Sequence, residues 1–480
     1  MFTPGVRRVL TLCAAALALA PAGAGAEPIH LLAPVPDLGP APTGPCAPVT
    51  ARAAAAPTVL GTLARLRRKG ALGDADATRF ADQYRHARVV RDRLGGLRKR
   101  ELSAVIAQVQ VLAARRLLTA TRVPVVFMQL ARNSEYWPAG RIPVAPQPKV
   151  RPCAGKAGLG GARVMFGDDP VVYQWYPGQG LQIQELATFG RANALANACR
   201  PEAGPSSIPC DTARLRAALD AIVALAVDRG GFKAWEYYFT FSQGRPPWIS
   251  GLAQGTAIQA LTRGTEILGD AKYRDLAGQA LGAFTHRWPI GVRASGPHFL
   301  LYSFAPGLRV FNAFFQALNG IDDYAQSSGD QHAKEVFAAA LPEARREARQ
   351  ADTGAWSRYS LRGAESDLGY HKLVRDFLNG LCDRTKESVF CATAGRFTGY
   401  LHERTRMRVV RAGRGGVRVF LSKVSCVTLR VNGRVAAVRV LPRGAGTLPW
   451  APRRGRYALS VDAQDLAGHH TRVRRTAILR

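Results

Sequence analysis

The chain has 480 residues, 47% of them hydrophobic and 21% charged. This excludes a disordered or low-complexity protein and allows two to four domains with large cores. Sixty-six Lys and Arg against 34 acids give a net charge of +32. Such an excess concentrates polyanions near the surface and says little about fold.

The chain opens with Arg7-Arg8, an apolar run from Val9 to Ala20 and the small-residue stretch Ala24-Gly25-Ala26 before Glu27. The pattern predicts a signal peptide over 1–26, hence secretion or attachment to the cell envelope, with an uncleaved anchor as the alternative. No later run of about 18 apolar residues predicts a membrane span. Removing the leader lowers the net charge by two. A coding bias towards Arg explains part of the excess; the sharper reading is a polyanionic partner. For a secreted chain an acidic polysaccharide is expected ahead of nucleic acid.

Residues 27–58, rich in Pro and Ala, read as a linker. The region 59–142 turns helical, with Leu97, Leu102, Val105, Val109 and Leu112 at three- and four-residue steps. It predicts a helical hairpin, or failing that a coiled-coil arm, with Arg98-Lys99-Arg100-Glu101 on a solvated face. Pro143 to Pro152 separates this region from a larger one over 160–395. There Tyr173-Gln174-Trp175-Tyr176-Pro177-Gly178-Gln179-Gly180, followed by Ile183-Gln184, reads as a loop walling a sugar cleft. Helical segments follow at Asp211 to Val227, Leu252 to Leu268, Lys272 to Trp288, Leu308 to Tyr324, Asp330 to Gln350 and Lys372 to Leu381. Helices alternating with Gly/Pro loops predict a mainly α protein built on an α/α toroid or partial (α/α) barrel.

From 404 to 480 the period becomes two, with Val417, Val419 and Leu421, then Val427, Leu429 and Val431, and an Asn432-Gly433 hairpin signal. This predicts a small all-β, immunoglobulin-like sandwich, serving either wall attachment or a passive structural role. After the leader seven cysteines remain. Cys199–Cys210 and Cys382–Cys391 are plausible short-loop bridges and Cys46–Cys153 a long-range one, in keeping with an oxidising compartment. No zinc spacing occurs, and Asp322-Asp323 reads as a helix terminus rather than a metal pair; no cofactor is expected.

A series of short motifs carries the chemistry. Trp248-Ile249-Ser250-Gly251-Leu252-Ala253-Gln254-Gly255 opens a helix; Tyr302 follows, with Pro306 four residues on and Asn312 ten on. Then come Tyr359-Ser360-Leu361-Arg362 and Tyr370-His371. In order and content this resembles the C-terminal catalytic domain of the D-glucuronyl C5-epimerases, which convert glucuronate to iduronate within a polymer. The resemblance implies an isomerase acting on an acidic glycan, the α/α architecture and a homodimer. It also implies proton transfer or substrate orientation at C5 by Tyr302, Tyr359 and Tyr370.

Removing the C5 hydrogen, α to a carboxylate, builds charge on an anionic group. The site must neutralise that charge and hold an acid or base on each face of the ring, each contributing roughly 10²–10⁴-fold. Arg309 and Arg362 are expected to bind the carboxylate and lower the tyrosine pKa values. Asn312, Gln179, Gln184 and His371 complete the expected substrate-binding set, although a lone His at a helix start is more often scaffold. Leu300-Leu301 replace the family's acid before the first tyrosine, and Ser303 replaces its proline. The segment Ser360 to Gly369 is also shortened. Glu236, Glu365 and Asp367 are candidates for the missing acid. A polysaccharide lyase, sharing the first step, and an inactive glycan-binding wall protein are the competing readings.

Overall fold

The computed structural model describes residues 56–143, 162–200 and 208–479. The expected leader, nearly all of the linker, most of the Pro143–Pro152 passage and the Cys46–Cys153 pair lie outside these residues. Among the described residues there are thirteen helices and twelve strands in two compact units. The first takes residues 56–143, 162–200, 208–309 and 316–340; the second takes 310–315 and 341–479. No described helix is long and apolar enough to cross a membrane.

The first unit begins with four helices where the periodicity predicts two: α1 (Val59–Arg68), α2 (Asp74–Arg93), α3 (Gly96–Ala114) and α4 (Arg122–Ala139). Reversals at Gly70, Gly96 and Arg116, all with positive φ, divide the run. Leu102, Val105, Val109 and Leu112 of α3 are buried, as their spacing predicts. Lys99 and Arg100 are exposed as expected and Arg98 is half-buried, but Glu101 turns inward. Arg98 donates to the carbonyls of Pro138 and Gly140, and buried Glu101 accepts from the N–H groups of Gly178 and Gly180.

Those glycines belong to a tight antiparallel hairpin, not a loop. β2 (Tyr173–Tyr176) pairs with β3 (Gly180–Ile183) in the register Tyr173↔Ile183 to Tyr176↔Gly180, and β1 (Arg163–Val164) pairs with β2. Tyr173 and Trp175 are buried core residues. The backbone edge of β3 is satisfied by α4: Asn133 bonds both polar groups of Leu181 at 2.8 Å, and Gln129 accepts from Ile183 N–H at 3.0 Å. Unpaired buried backbone is costly, so these amides fix the hairpin's place.

α5 (Glu185–Ala198), α6 (Thr212–Leu225), the ribbon β4 (Val227–Arg229) and β5 (Phe232–Ala234), α7 (Gly251–Leu268), α8 (Ala271–Ala280) and α9 (Gly282–Thr285) follow. The Cys199–Cys210 disulfide ties α5 to the start of α6, where Asp211 caps the helix. The predicted single helix from Lys272 to Trp288 breaks at Leu281. α10 (Phe311–Ser328) and α11 (Gln331–Gln350) are divided between the units. Gly255 of α7 and Gly320 of α10 let the two backbones touch: a Cβ at Gly320 would lie 2.1 Å from the Gly255 carbonyl oxygen. Asp322 and Asp323 lie inside α10 rather than at its end, and Asp323 pairs with Arg263 at 3.0 Å.

The second unit contains α12 (Leu368–Thr385) and α13 (Ser388–His402), joined by the Cys382–Cys391 disulfide. Seven strands complete it: β6 (Met407–Gly413), β7 (Gly416–Leu421), β8 (Ser425–Val431), β9 (Arg434–Leu441), β10 (Gly444–Leu448), β11 (Gly455–Asp465) and β12 (His470–Leu479). They form a three-stranded sheet, β10-β7-β6, and a four-stranded sheet, β12-β11-β8-β9. Val417, Val419 and Leu421 of one sheet and Val427, Leu429, Leu459 and Val461 of the other share a single core. The β8–β9 turn uses Asn432 and Gly433, both with positive φ, as a type I′ turn requires.

Candidate active site

Tyr302 is placed by two short backbone runs of the first unit. Ser303 N–H donates to Ile249 O at 2.9 Å, Ile249 N–H donates to Ser303 Oγ at 3.1 Å, and Gly251 N–H donates to Leu301 O. A proline at 303 would lose the first of these bonds, so Ser303 has a structural use of its own. Ser250 caps α7 through Ala253 N–H, and Trp248, two residues before it, donates its ring N–H to Phe239 O at 2.8 Å. Tyr302 then sits edge-on to Trp248 at 5.6 Å and stacks on Phe304 at 5.2 Å.

Tyr302, Trp248 and Leu301 line a very small cavity of ≈ 10 Å³, room for about one water, together with Tyr237, Gln184, Ser250, Leu186 and Leu252. Leu301, where the acid was expected, makes that wall apolar. Gln184 reaches the cavity, but its amide is engaged: it donates to the Tyr176 hydroxyl at 2.9 Å and accepts from Tyr237 at 3.3 Å. Gln179 accepts from Gln108 through both its carbonyl and its side chain. Arg309 is half-buried.

Glu236 does not replace the missing acid. Fully buried, it is gripped by Arg122 at 2.7 and 2.9 Å and by Arg229 at 2.6 Å. Two guanidiniums occupy its oxygens, and the bidentate geometry fixes it in place. Glu185, also fully buried, has the opposite fate. Neither of its carboxyl oxygens has a hydrogen-bond partner. Burial, and then the charge of Glu236, raise its pKa well above the usual carboxylate range, so it is held as the neutral acid.

The second unit brings Tyr359 and Tyr370 together, ring edge to ring face at 4.8 Å. Burial pushes Tyr359 up to about 12; the Tyr370 hydroxyl lowers it, and the Asp367 charge raises it. Tyr370 is positioned by the start of α12, where Asp367 accepts from its N–H at 2.9 Å. That makes Asp367 a helix cap. Glu365 accepts from Thr353 at 2.7 Å through one oxygen, while its other oxygen is buried without a partner.

Tyr359 lies on a short extended stretch where Ser360 bridges Val310 and the Tyr359 carbonyl accepts from Phe311 N–H. This ties the first turn of α10 to Tyr359. Asn312 in that turn is 3% exposed, and neither polar atom of its amide has a hydrogen-bond partner. A buried unsatisfied amide calls for an explanation, and a functional role is among those open to it. Arg362 is exposed, at φ +64 in the tight turn closed by Gly363 N–H to Ser360 O. It does not figure among the groups that shift Tyr359.

His371 is a scaffold residue by its contacts. Nδ1 meets the Ser357 hydroxyl at 2.8 Å, Nε2 meets Phe397 O at 2.9 Å, and the ring stacks on Trp356 at 3.6 Å. Burial holds its pKa down to about 4, so it is neutral at ordinary pH. Among the described residues no cluster of three or more His, Cys, Asp or Glu could hold a metal ion. Sequence reading missed Tyr237 and Glu185. The signal for the first was present: Trp235, Tyr237, Phe239 and Phe241 alternate as in an extended strand, and Tyr237 bridges Trp248 and stacks on it at 4.2 Å.

Residues 229–399 match the family model of the D-glucuronyl C5-epimerase C-terminus, a span containing all three tyrosines. No curated protein matches the chain. Among solved structures, a sugar epimerase from a ruminal bacterium is similar at 11% identity and TM-score 0.32, over 46% of this chain and 60% of that one. Cellobiose 2-epimerase from Bacillus thermoamylovorans B4167 is similar at 11% identity and TM-score 0.31, over 52% of this chain and 65% of that one. The chain thus spans under two thirds of either structure.

Proposed function

We propose that this protein is a secreted polysaccharide hexuronate C5-epimerase that converts glucuronate to iduronate residues within an acidic glycan. The family match over 229–399 carries this reading, since Tyr302, Tyr359 and Tyr370 all fall within it. An α/α toroid for the helical part and an immunoglobulin-like sandwich for the C-terminal module belong to the same proposal, as does a homodimer.

Epimerisation requires one group to take the C5 proton and another to return a proton on the opposite face. A phenol near 12 is almost wholly protonated at neutral pH, and a substrate carboxylate beside it would raise it further. Tyr359 is therefore assigned as a proton donor in the resting enzyme and Tyr370, in the same unit, as the base; Tyr302 is assigned to proton transfer or substrate orientation on the family pattern alone. Asn312, with its unsatisfied amide, is assigned to the substrate. Gln184 and His371 act as positioning residues, because their hydrogen-bonding atoms are occupied within the protein.

The apolar wall at Leu301 supports a second reading, a lyase acting on the same polymer. Lysis shares the proton abstraction and expels the C4 oxygen, and one tyrosine can serve as base and then acid. Incubating glucuronate polysaccharides with the protein and reading the products by NMR separates the cases. New iduronate signals support the epimerase, and unsaturated uronate ends the lyase. Unchanged polymer that still binds would leave a glycan-binding protein.

A further inference from the structure

The net charge is far from evenly spread. Residues 404–480 hold 18 Lys and Arg and only 2 acids, Asp462 and Asp465, so this module carries +16 of the chain's +32. The rest of the chain, more than five times as long, carries the other half. A coding bias towards Arg would not also remove the acids. Both acids are engaged: Asp462 pairs with His470 and Arg472 at 2.8 Å, and Asp465 accepts from His469 N–H at 2.9 Å.

The outer face of the three-stranded sheet has a particular arrangement. In β7, Val417, Val419 and Leu421 enter the core, so Arg418 and Phe420 point outward. Phe420 is 46% exposed, and Arg408 of β6 stands directly opposite it. Arg411 stands directly opposite Arg418, placed there by the bulge between Val409 and Arg411 that also exposes Val410. Like charges at such cross-strand positions destabilise a sheet unless an anion lies over them. Among the described residues, no ion pair is formed by Arg408, Arg411 or Arg418. No acid lies on this face.

We propose that this face is a second, non-catalytic binding site for an acidic polysaccharide, with Phe420 packing against a sugar ring and Arg408, Arg411 and Arg418 taking carboxylates. An aromatic ring flanked by guanidiniums matches a uronate chain, which offers an apolar ring face and a planar carboxylate on each unit. This rests on the reading that the chain acts on such a polymer. Holding the polymer at two places raises its effective concentration at the catalytic site.

The test measures binding of the full chain to immobilised polyglucuronate, a neutral glucan, single-stranded DNA and phosphatidylglycerol vesicles across a salt series. Phe420→Ala is expected to weaken polyglucuronate binding about fivefold without changing the salt slope. The double change Arg408→Gln/Arg418→Gln is expected to weaken it about tenfold and flatten the slope. Arg430→Gln/Arg474→Gln, which removes the same charge from the other sheet, is expected to change little. Equal losses from the two double variants, no effect of Phe420→Ala, or tighter binding of DNA or vesicles would each overturn the proposal. Binding is read without turnover, so failure of the catalytic reading would show separately, as absent C5 exchange.

Discussion

The two tyrosine neighbourhoods differ in how completely their polar groups are accounted for. Around Tyr302 the chain is closed on itself save at Glu185, whose buried carboxyl is unbonded: Gln184 is bonded on both sides, Ser303 is tied to Ile249, Leu301 lines the wall, and Glu236 is locked by two arginines. Around Tyr359 and Tyr370 buried groups are left over, namely the Asn312 amide and one oxygen of Glu365. A finished hydrogen-bond network stabilises a position, whereas each buried group left over calls for a partner of its own, such as a water, an ion or a functional contact. The lesson is that the family's tyrosines rest on two kinds of support, one apolar and rigid, the other polar and unsatisfied.

The largest effects should come from the tyrosines themselves. Tyr359→Phe and Tyr302→Phe are each expected to lower C5 exchange by roughly 10²–10⁴-fold. Polymer affinity and melting temperature should stay close to those of the parent. If only Tyr359→Phe does so, the closed neighbourhood is architecture and the contrast sharpens; if only Tyr302→Phe does so, the contrast breaks.

Glu236→Gln comes next. It leaves Arg122 and Arg229 buried without their counter-charge and should cost about 3–5 kcal/mol in denaturant unfolding. A loss below about 1 kcal/mol would mean that the network around Tyr302 is wetter than its burial indicates.

His371 tests the second neighbourhood by pH. Its folded pKa, about 4, lies below the ordinary 6.5. Between these values the unfolded chain binds a proton that the native state does not. Stability from this residue is therefore present above about 6.5 and lost as pH falls towards 4, by about 3 kcal/mol. His371→Asn should flatten that acid limb, as followed by melting temperature against pH.

Glu185→Gln is the mildest change and has the opposite sign. A raised folded pKa means that stability is present below the unfolded value and falls as pH rises above it. The amide cannot ionise, so the variant should melt a few degrees higher at neutral pH and identically at pH 4.

What was legible in the sequence was local. Ser250 capping α7, the Asn432-Gly433 turn and the pairs Cys199–Cys210 and Cys382–Cys391 each depend on residues within about a dozen positions. What escaped was long-range. Arg122 meets Glu236 across 114 residues, and Glu101 holds a turn 77 and 79 residues away; no periodicity announces such pairings. The aromatics of β2 read as a sugar-binding loop because Gly178 and Gly180 suggested one. The hairpin register instead turns Tyr173 and Trp175 into the core. Tyr359 and Tyr370 were legible as a pair only through the family pattern, since their contact comes from the tight 360–363 turn and the Asp367 cap.

The central claim is that these tyrosines move the C5 proton of a uronate. It is tested most directly by NMR of polyglucuronate incubated in heavy water with the parent protein and with Tyr359→Phe. The account predicts deuterium at C5 with the parent and its loss in the variant at unchanged affinity. No C5 deuterium with the parent while binding persists, or equal incorporation by both proteins, would contradict it.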